Sequence, residues 1–222
     1  MQNNTIICGD AAATLKTLPE NSVDLIVTDP PYLCNYRDRE GRRVRNDDNA
    51  GGVLPVFPEL FRVLRPGSYC ALFCGWSAIA AFSGAWEAAG FRTLGHIVWH
   101  KRYASAARHV QYRHESAWLL AKGNPRPPGD PLPDVLDWTY SGNRNHPTEK
   151  AVEVIAPLVR AFSQPGDLVL DPFLGSGTTA VAAALAGRRS IGVELEERYC
   201  ALARKRLAGV ERFRADAERA AA

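Results

Sequence analysis

Short continuous apolar runs alternate along this chain with longer stretches in which apolar residues recur at helical spacing. Thr5-Ile6-Ile7-Cys8 reads as a strand ending at Gly9-Asp10, followed by a helix over Ala11–Leu18 that Pro19 stops. Val23-Asp24-Leu25-Ile26-Val27 reads as a buried strand running directly into Thr28-Asp29-Pro30-Pro31-Tyr32. From Leu33 to Gly52 there is no period, only glycine and mixed charge, which predicts a long loop; loops of this length in compact domains tend to be functional or disordered. Helical spacing returns over Leu54–Leu64, then a strand over Tyr69–Cys74 and a helix over Trp76–Ala89 with Gly90 at its C-terminal cap. Thr93–Trp99 and Glu115–Ala121 are strands separated by the basic segment Lys101–His114. The proline- and glycine-rich stretch Asn124–Asn145 reads as irregular, and Pro147–Phe162 as a helix with Asn145 as N-cap. A strand at Asp167–Leu170, a glycine turn and an alanine-rich helix to Ala186 follow. A last strand, Ser190–Val193, precedes an Arg/Glu/Ala helix from Glu196 whose charges read as a solvated face.

Strands alternating with helices predict an α/β fold, a mostly parallel twisted sheet with helices on both faces. A chain of 222 residues, 46% of them hydrophobic, is expected to form a single domain. The net charge of +3 is compatible with a polyanionic partner without requiring one. The five cysteines form no C-x-x-C pair and no histidine stands at metal spacing, so the sequence points to no metal site or disulfide framework and fits a reducing cytoplasm. The longest apolar stretch, Ser68–Phe82, is broken by Gly75 and too short to span a bilayer, so no membrane association is expected.

Chemistry concentrates where strands end. The two prolines after Asp29 have no N–H and a fixed φ, so Asp29 and the Pro30 carbonyl are held in a stiff turn with the Tyr32 ring beside them. Two acceptors and an aromatic face suit a planar heterocycle bearing an exocyclic amine, as when a nucleobase is taken out of its stack. Asp10, Asp171 and Glu194 also follow predicted strands, and in a parallel α/β sheet such acids line one cleft, although acids here also cap helices. Gly175-Ser176-Gly177-Thr178-Thr179-Ala180 with Glu194 beyond it matches G-x-G-x-x-G/A plus a distal acid, the fingerprint of an adenosine cofactor. No Gly-Lys-Ser/Thr follows, which argues against a phosphate-binding loop. The late position of the motif, and Asp171-Pro172-Phe173 before it, argue against a nicotinamide-dependent oxidoreductase.

Taken in order, Asp29-Pro30-Pro31-Tyr32, His146-Pro147-Thr148-Glu149-Lys150, Asp171-Pro172-Phe173-Leu174-Gly175-Ser176-Gly177-Thr178-Thr179 and Glu194 resemble the permuted (beta-class) DNA amino methyltransferases, in which the catalytic motif precedes the cofactor motif. The resemblance covers nearly the whole chain. It implies a Rossmann-like methyltransferase fold with a catalytic half over about 1–122, a short irregular insertion over about 123–145, a cofactor-binding half over about 146–208 and a charged C-terminal helix to 222. It also implies S-adenosylmethionine as cofactor and duplex DNA as partner, with any restriction endonuclease partner left unspecified. Asp29, Pro30, Pro31 and Tyr32 would be catalytic. The cofactor would be held by Asp10, Ala11, Asp29, His146, Pro147, Thr148, Lys150, Asp171, Pro172, Phe173, Gly175, Ser176, Gly177, Thr178 and Glu194. Within that set, Glu194 would hold the ribose, Asp10 would lie near the adenine, and His146, Thr148 and Lys150 would approach the methionine carboxylate. The chain departs from the family's usual His-Pro-Thr-Gln-Lys-Pro at Glu149 and Ala151, and only Asn124–Asn145 stands where a target-recognition domain would sit.

Asp29, rather than the serine more usual in cytosine enzymes, implies N6-adenine methylation by base flipping and direct in-line transfer, with N4-cytosine methylation as the near alternative. The expected DNA contacts are Tyr36 and Arg37 of the loop, Lys101, Arg102, Arg108 and Arg113 of the basic segment, and Asn143 and Arg144. So little surface for reading a target points to a homodimer, with Phe57, Phe61, Trp76, Phe82 and Trp86 on the two middle helices as its expected interface.

Overall fold

The structure, a computed structural model, describes residues 4–37, 41–107 and 109–221. These residues form one eight-stranded sheet: β1 (Thr5–Cys8), β2 (Val23–Thr28), β3 (Leu64–Phe73), β4 (Arg92–His100), β5 (His114–Lys122), β6 (Val135–Asp137), β7 (Leu168–Asp171) and β8 (Arg189–Glu194). The spatial order is β1-β8-β7-β2-β3-β5-β4-β6. Every neighbouring pair from β1 to β3 is parallel, β5 runs antiparallel to both β3 and β4, and β6 is parallel to β4. The predicted α/β class and mostly parallel sheet are therefore observed.

Helices cover both faces, as expected. On one face, α1 (Ala11–Leu15), α2 (Val56–Val63) and α3 (Ile79–Ala89) bury Leu15, Phe57, Leu60, Phe82 and Trp86 against the sheet. On the other, α4 (Val152–Phe162) and α5 (Thr178–Leu185) bury Val154, Ile155, Leu158 and Ala182. The last helix, α6 (Glu197–Ala221), packs Ala203 and Leu207 on Leu174 and α5. None of the helices is long and apolar enough to cross a membrane among the described residues.

The chain leaves β2 for β3 on one side and returns through β7 on the other, so the topological switch lies between β2 and β7. Asp29 and Asp171 stand at the C-terminal ends of these two strands, where ligands bind in such sheets.

Three expectations need correction. First, α4 begins at Val152 with Ala151 as its cap, so Asn145 caps nothing and residues 146–151 precede the helix; their side chains are engaged elsewhere, in the cleft. Second, Asn124–Asn145 contains β6, which extends the sheet through Val98 N–H to the Asp134 carbonyl (2.7 Å) and Trp138 N–H to the His100 carbonyl (3.0 Å). Between β4 and β5 the described residues of the basic segment form an arm in which Lys101 N–H donates to the Arg113 carbonyl and Ser105 N–H to the Tyr112 carbonyl, each at 2.8 Å. Third, the aromatic residues of α2 and α3 are interior: Phe57 and Phe82 meet edge to face at 5.7 Å, Trp86 is buried and Phe61 packs on Phe91, leaving Trp76 exposed. The aromatic surplus assigned to a subunit interface is used in the core.

Candidate active site

Asp29 follows the last residue of β2, Thr28, and its carboxylate is engaged on both oxygens. Tyr32 donates its hydroxyl to Oδ1 at 2.7 Å, and the Lys150 ammonium lies 2.5 Å from Oδ2. Lys150 is buried. Desolvation alone would lower its pKa, but the charges of Asp29 and Glu115 and the bond to Asp29 outweigh it and leave the ammonium more strongly held than usual. Burial, with the Asp29 charge next, pushes the Tyr32 hydroxyl well up, so it stays a donor. The Tyr32 ring lies so close to Gly75 that a Cβ there would come within 2.9 Å of it, which makes glycine at 75 a requirement of this packing. The resemblance sends Lys150 to a methionine carboxylate; in this structure its partner is Asp29.

Beside this socket, Asp171 ends β7. Its Oδ1 accepts the Thr28 hydroxyl at 2.9 Å and the Phe173 N–H at 3.1 Å, linking the ends of β2 and β7. Burial raises the Asp171 carboxyl from 3.8 to about 6 despite these bonds. The fold thus holds this proton more tightly than the unfolded chain does. The resulting stabilisation is fully present below pH 3.8 and is lost as pH rises through about 6. Asp171→Asn should remove this component, so a plot of wild-type minus variant thermal midpoint should fall between about pH 4 and pH 6 and be flat above.

Glu194, ending β8, accepts Gly175 N–H on Oε2 at 2.9 Å and Glu196 N–H on Oε1 at 2.7 Å, so backbone fixes its direction at the cleft wall. Gly177 has φ +90°, and a Cβ there would lie 2.8 Å from that of Ala203, so glycine is what lets α6 approach the turn. Asp10 caps α1 through Ala13 N–H (2.9 Å) while also lining the cleft with Ala11. His146 meets Thr148 through Nδ1 (3.2 Å to Oγ1) and the Tyr199 ring edge to face. Burial, then the Lys150 charge, lowers its pKa to about 4, which keeps the imidazole neutral at ordinary pH.

A buried clamp that no sequence motif marked holds the glycine turn. Glu149 accepts from Asn145 Nδ2 (2.9 Å) and Ser176 Oγ (3.2 Å), and pairs with Arg206 of α6 at 2.9 Å. Arg206 also donates to the Ser176 carbonyl at 2.8 Å and the Thr178 hydroxyl at 3.3 Å. The glycine turn is therefore held from both sides by one ion pair. Two signals for it stood in the sequence: glutamate where the family has glutamine, and Cys200, Ala203 and Leu207 at helical spacing, which the structure buries on a helix whose charges read as a solvated face.

A single cleft of about 740 Å³ joins the two regions, with Gly9, Asp10, Pro172, Phe173 and Glu194 at one end and Asp29, Pro30, Pro31 and Tyr32 between them and the arm. Pro147 and Gly175 also line it, and Ser176 and Thr178 border the adjoining small cavity behind Phe173. The far wall combines Lys101, Tyr103 and Ser105 of the arm with Trp138 and Tyr140 after β6. Of the loop after Tyr32, the described residues Tyr36, Arg42 and Val44 line the cleft, and buried Asp47 accepts Tyr36 N–H on Oδ2 at 2.5 Å and Asn35 N–H on its carbonyl at 3.0 Å. The expected DNA-contact set divides. Arg37, Arg102, Arg113 and Arg144 are exposed, Tyr36 and Asn143 line the cleft, and Arg108 lies outside the described residues. Lys101 is a correction: it is buried, bonded to Glu115 and to Ser105, and stacked over the Trp138 ring, so its charge is spent inside the wall.

The profile of the N6/N4 DNA methylases matches residues 23–140 and 131–205. YubD of Escherichia coli (strain K12), a methylase by name, is 50% identical over 206 residues, covering 93% of this chain and 91% of that one. TTHA0409 of Thermus thermophilus, a DNA modification methylase by name, was solved with S-adenosyl-L-methionine; it is 30% identical over 92% of this chain and 95% of its own, with a TM-score of 0.69. The M1.HpyAVI–SAM complex superposes with a TM-score of 0.73 at 27% identity, over 91% of this chain and 98% of that one. Socket, glycine turn and distal acid face one cleft at the switch point of a parallel sheet, and with these matches the chain belongs to the DNA methylase family of the N6/N4 type.

Proposed function

We propose that the chain transfers a methyl group from S-adenosylmethionine to the N6 amine of adenine in duplex DNA. The observation that carries this reading is Asp29, held by Tyr32 and Lys150 at the end of β2, facing the same cleft as Glu194 and the glycine turn. The cofactor end fits the group: a fixed carboxylate for ribose hydroxyls, a turn stripped of side chains at Gly175 and Gly177, and the Phe173 ring beside it. When bound, S-adenosylmethionine supplies an electrophilic methyl.

The amine of adenine is a weak nucleophile because its lone pair is delocalised into the ring. Asp29 and the Pro30 carbonyl accept its two N–H groups, favouring a pyramidal nitrogen and stabilising the positive charge that develops there. A carboxylate offers about four acceptor sites, so the bonds from Tyr32 and Lys150 fix its orientation and still leave room for the amine. The base would be flipped into the cleft between Tyr32 and the wall of Tyr103, Trp138 and Tyr140, which the arm and the residues after β6 supply.

Plasmid DNA recovered from a host without its own DNA methylation and expressing this chain should contain N6-methyladenine on nucleoside analysis. N4-methylcytosine alone would transfer the reading to the cytosine enzymes while leaving the family standing.

Exposed Arg102 and Arg113 on the arm are the proposed phosphate contacts. Arg102→Ala or Arg113→Ala should weaken DNA binding equally across sequences and lower the salt slope by about one unit each. Lys101→Ala should leave the slope unchanged, since its charge is paired with Glu115. Slopes unchanged in both arginine variants would place the DNA elsewhere.

A further inference from the structure

Away from the cleft interior, among the described residues, three ligand-bearing side chains gather where β1 meets α6: Cys8, Glu197 and Cys200 have donor atoms all within 4.8 Å of one another. Glu197 and Cys200 are three residues apart on the first turn of α6 and so share a face, while Cys8 pairs with Glu194 across β1 and β8. We propose that these three residues form a binding site for a thiophilic divalent cation such as zinc, with two thiolates, one carboxylate and an open fourth position for water.

The donor set is the first argument, since two sulfurs with a carboxylate favour zinc or cadmium over magnesium or calcium. Geometry is the second. Zn–S bonds of about 2.3 Å place tetrahedral donors about 3.8 Å apart, so the cluster needs only a small contraction. Charge is the third: two thiolates and a carboxylate carry −3, which the cation's +2 and the Arg204 guanidinium, 3.0 Å from Glu197 Oε1, bring to zero. Binding converts two thiols to thiolates and releases two protons to solvent. Cys8 and Glu197 are exposed, which gives the cation a way in. No other cysteine belongs to such a cluster among the described residues.

The site backs onto the cofactor wall. Cys200 Sγ donates to the Glu194 carbonyl at 3.3 Å, and Gly9 N–H donates to the same oxygen at 2.9 Å. A cation here would pin the end of β1 to α6 directly behind Glu194.

Cadmium titration of the reduced, metal-free full chain, followed by its ultraviolet thiolate-to-metal band, tests the proposal. One saturable equivalent, displaced by zinc, is expected. Cys8→Ser, at an exposed position, should abolish the band with the circular dichroism spectrum unchanged, Glu197→Gln should weaken binding at least about tenfold, and Cys34→Ser should change nothing. Absence of a stoichiometric band, its survival in Cys8→Ser, unaltered affinity in Glu197→Gln, or its loss in Cys34→Ser would each overturn the assignment.

Discussion

Asp29→Ala is expected to lower the rate of methyl transfer by at least ~10²-fold, the cost of removing one preorganised polar group from a reacting centre. The affinity for S-adenosylmethionine should change far less, because Glu194 and the glycine turn do not depend on this carboxylate. Stability should fall as well, because the variant strands the buried Lys150 ammonium without its 2.5 Å partner, and breaking such a pair costs about 3–5 kcal/mol. The two effects are separated by Asp29→Asn, which keeps an oxygen for Lys150 and should recover much of the thermal stability while remaining slow. Single-turnover rates and cofactor binding, measured on both variants, check this. A near-normal rate in Asp29→Ala would mean that the socket is misassigned.

The Glu149–Arg206 clamp carries the second large effect. Glu149→Ala removes a deeply buried carboxylate, leaving Arg206 uncompensated and depriving Asn145 and Ser176 of their acceptor. The expected cost is again about 3–5 kcal/mol. For a domain of this size each kcal/mol moves the midpoint by about 2–4 °C, so a fall of roughly 6–20 °C is expected. The KM for S-adenosylmethionine should rise too, because Arg206 holds the Ser176 carbonyl and the Thr178 hydroxyl at the turn. Glu149→Gln keeps one acceptor oxygen for Ser176 and Arg206 but loses the charge and the acceptor that Oε2 gives the Asn145 N–H, so it should show the smaller fall of the two. A thermal midpoint unchanged in Glu149→Ala would show that the clamp holds nothing.

How much of this could be read from the sequence follows from which interactions are local. The central strands were readable because parallel strands buried on both faces appear as continuous apolar runs, as Leu25-Ile26-Val27 and Leu168-Val169-Leu170 do. Asp29, Asp171 and Glu194 were readable because the end of a strand fixes where its next residue stands. β6 escaped because three residues among prolines carry no period; its pairing with Val98–His100 is tertiary. The start of α4 was misplaced because residues 146–151 look like a helix entry, while Glu149 and Lys150 reach across the chain to Arg206 and Asp29. Lys101 looked like one more basic residue of a DNA-facing segment, and only the fold turns it inward onto Glu115. The nearness of Cys8 to Cys200 joins opposite ends of the chain, beyond the reach of any spacing rule.

In the proposed reaction this one cleft moves a methyl group from S-adenosylmethionine to the adenine amine of DNA through Asp29. Incubating purified chain with methyl-labelled S-adenosylmethionine and duplex DNA, with Asp29→Ala in parallel, measures it directly. Label in N6-methyladenine is expected for the wild type and almost none for the variant. Wild-type chain that binds S-adenosylmethionine and DNA yet leaves the DNA unlabelled, or a variant that labels it at the wild-type rate, would contradict the claim.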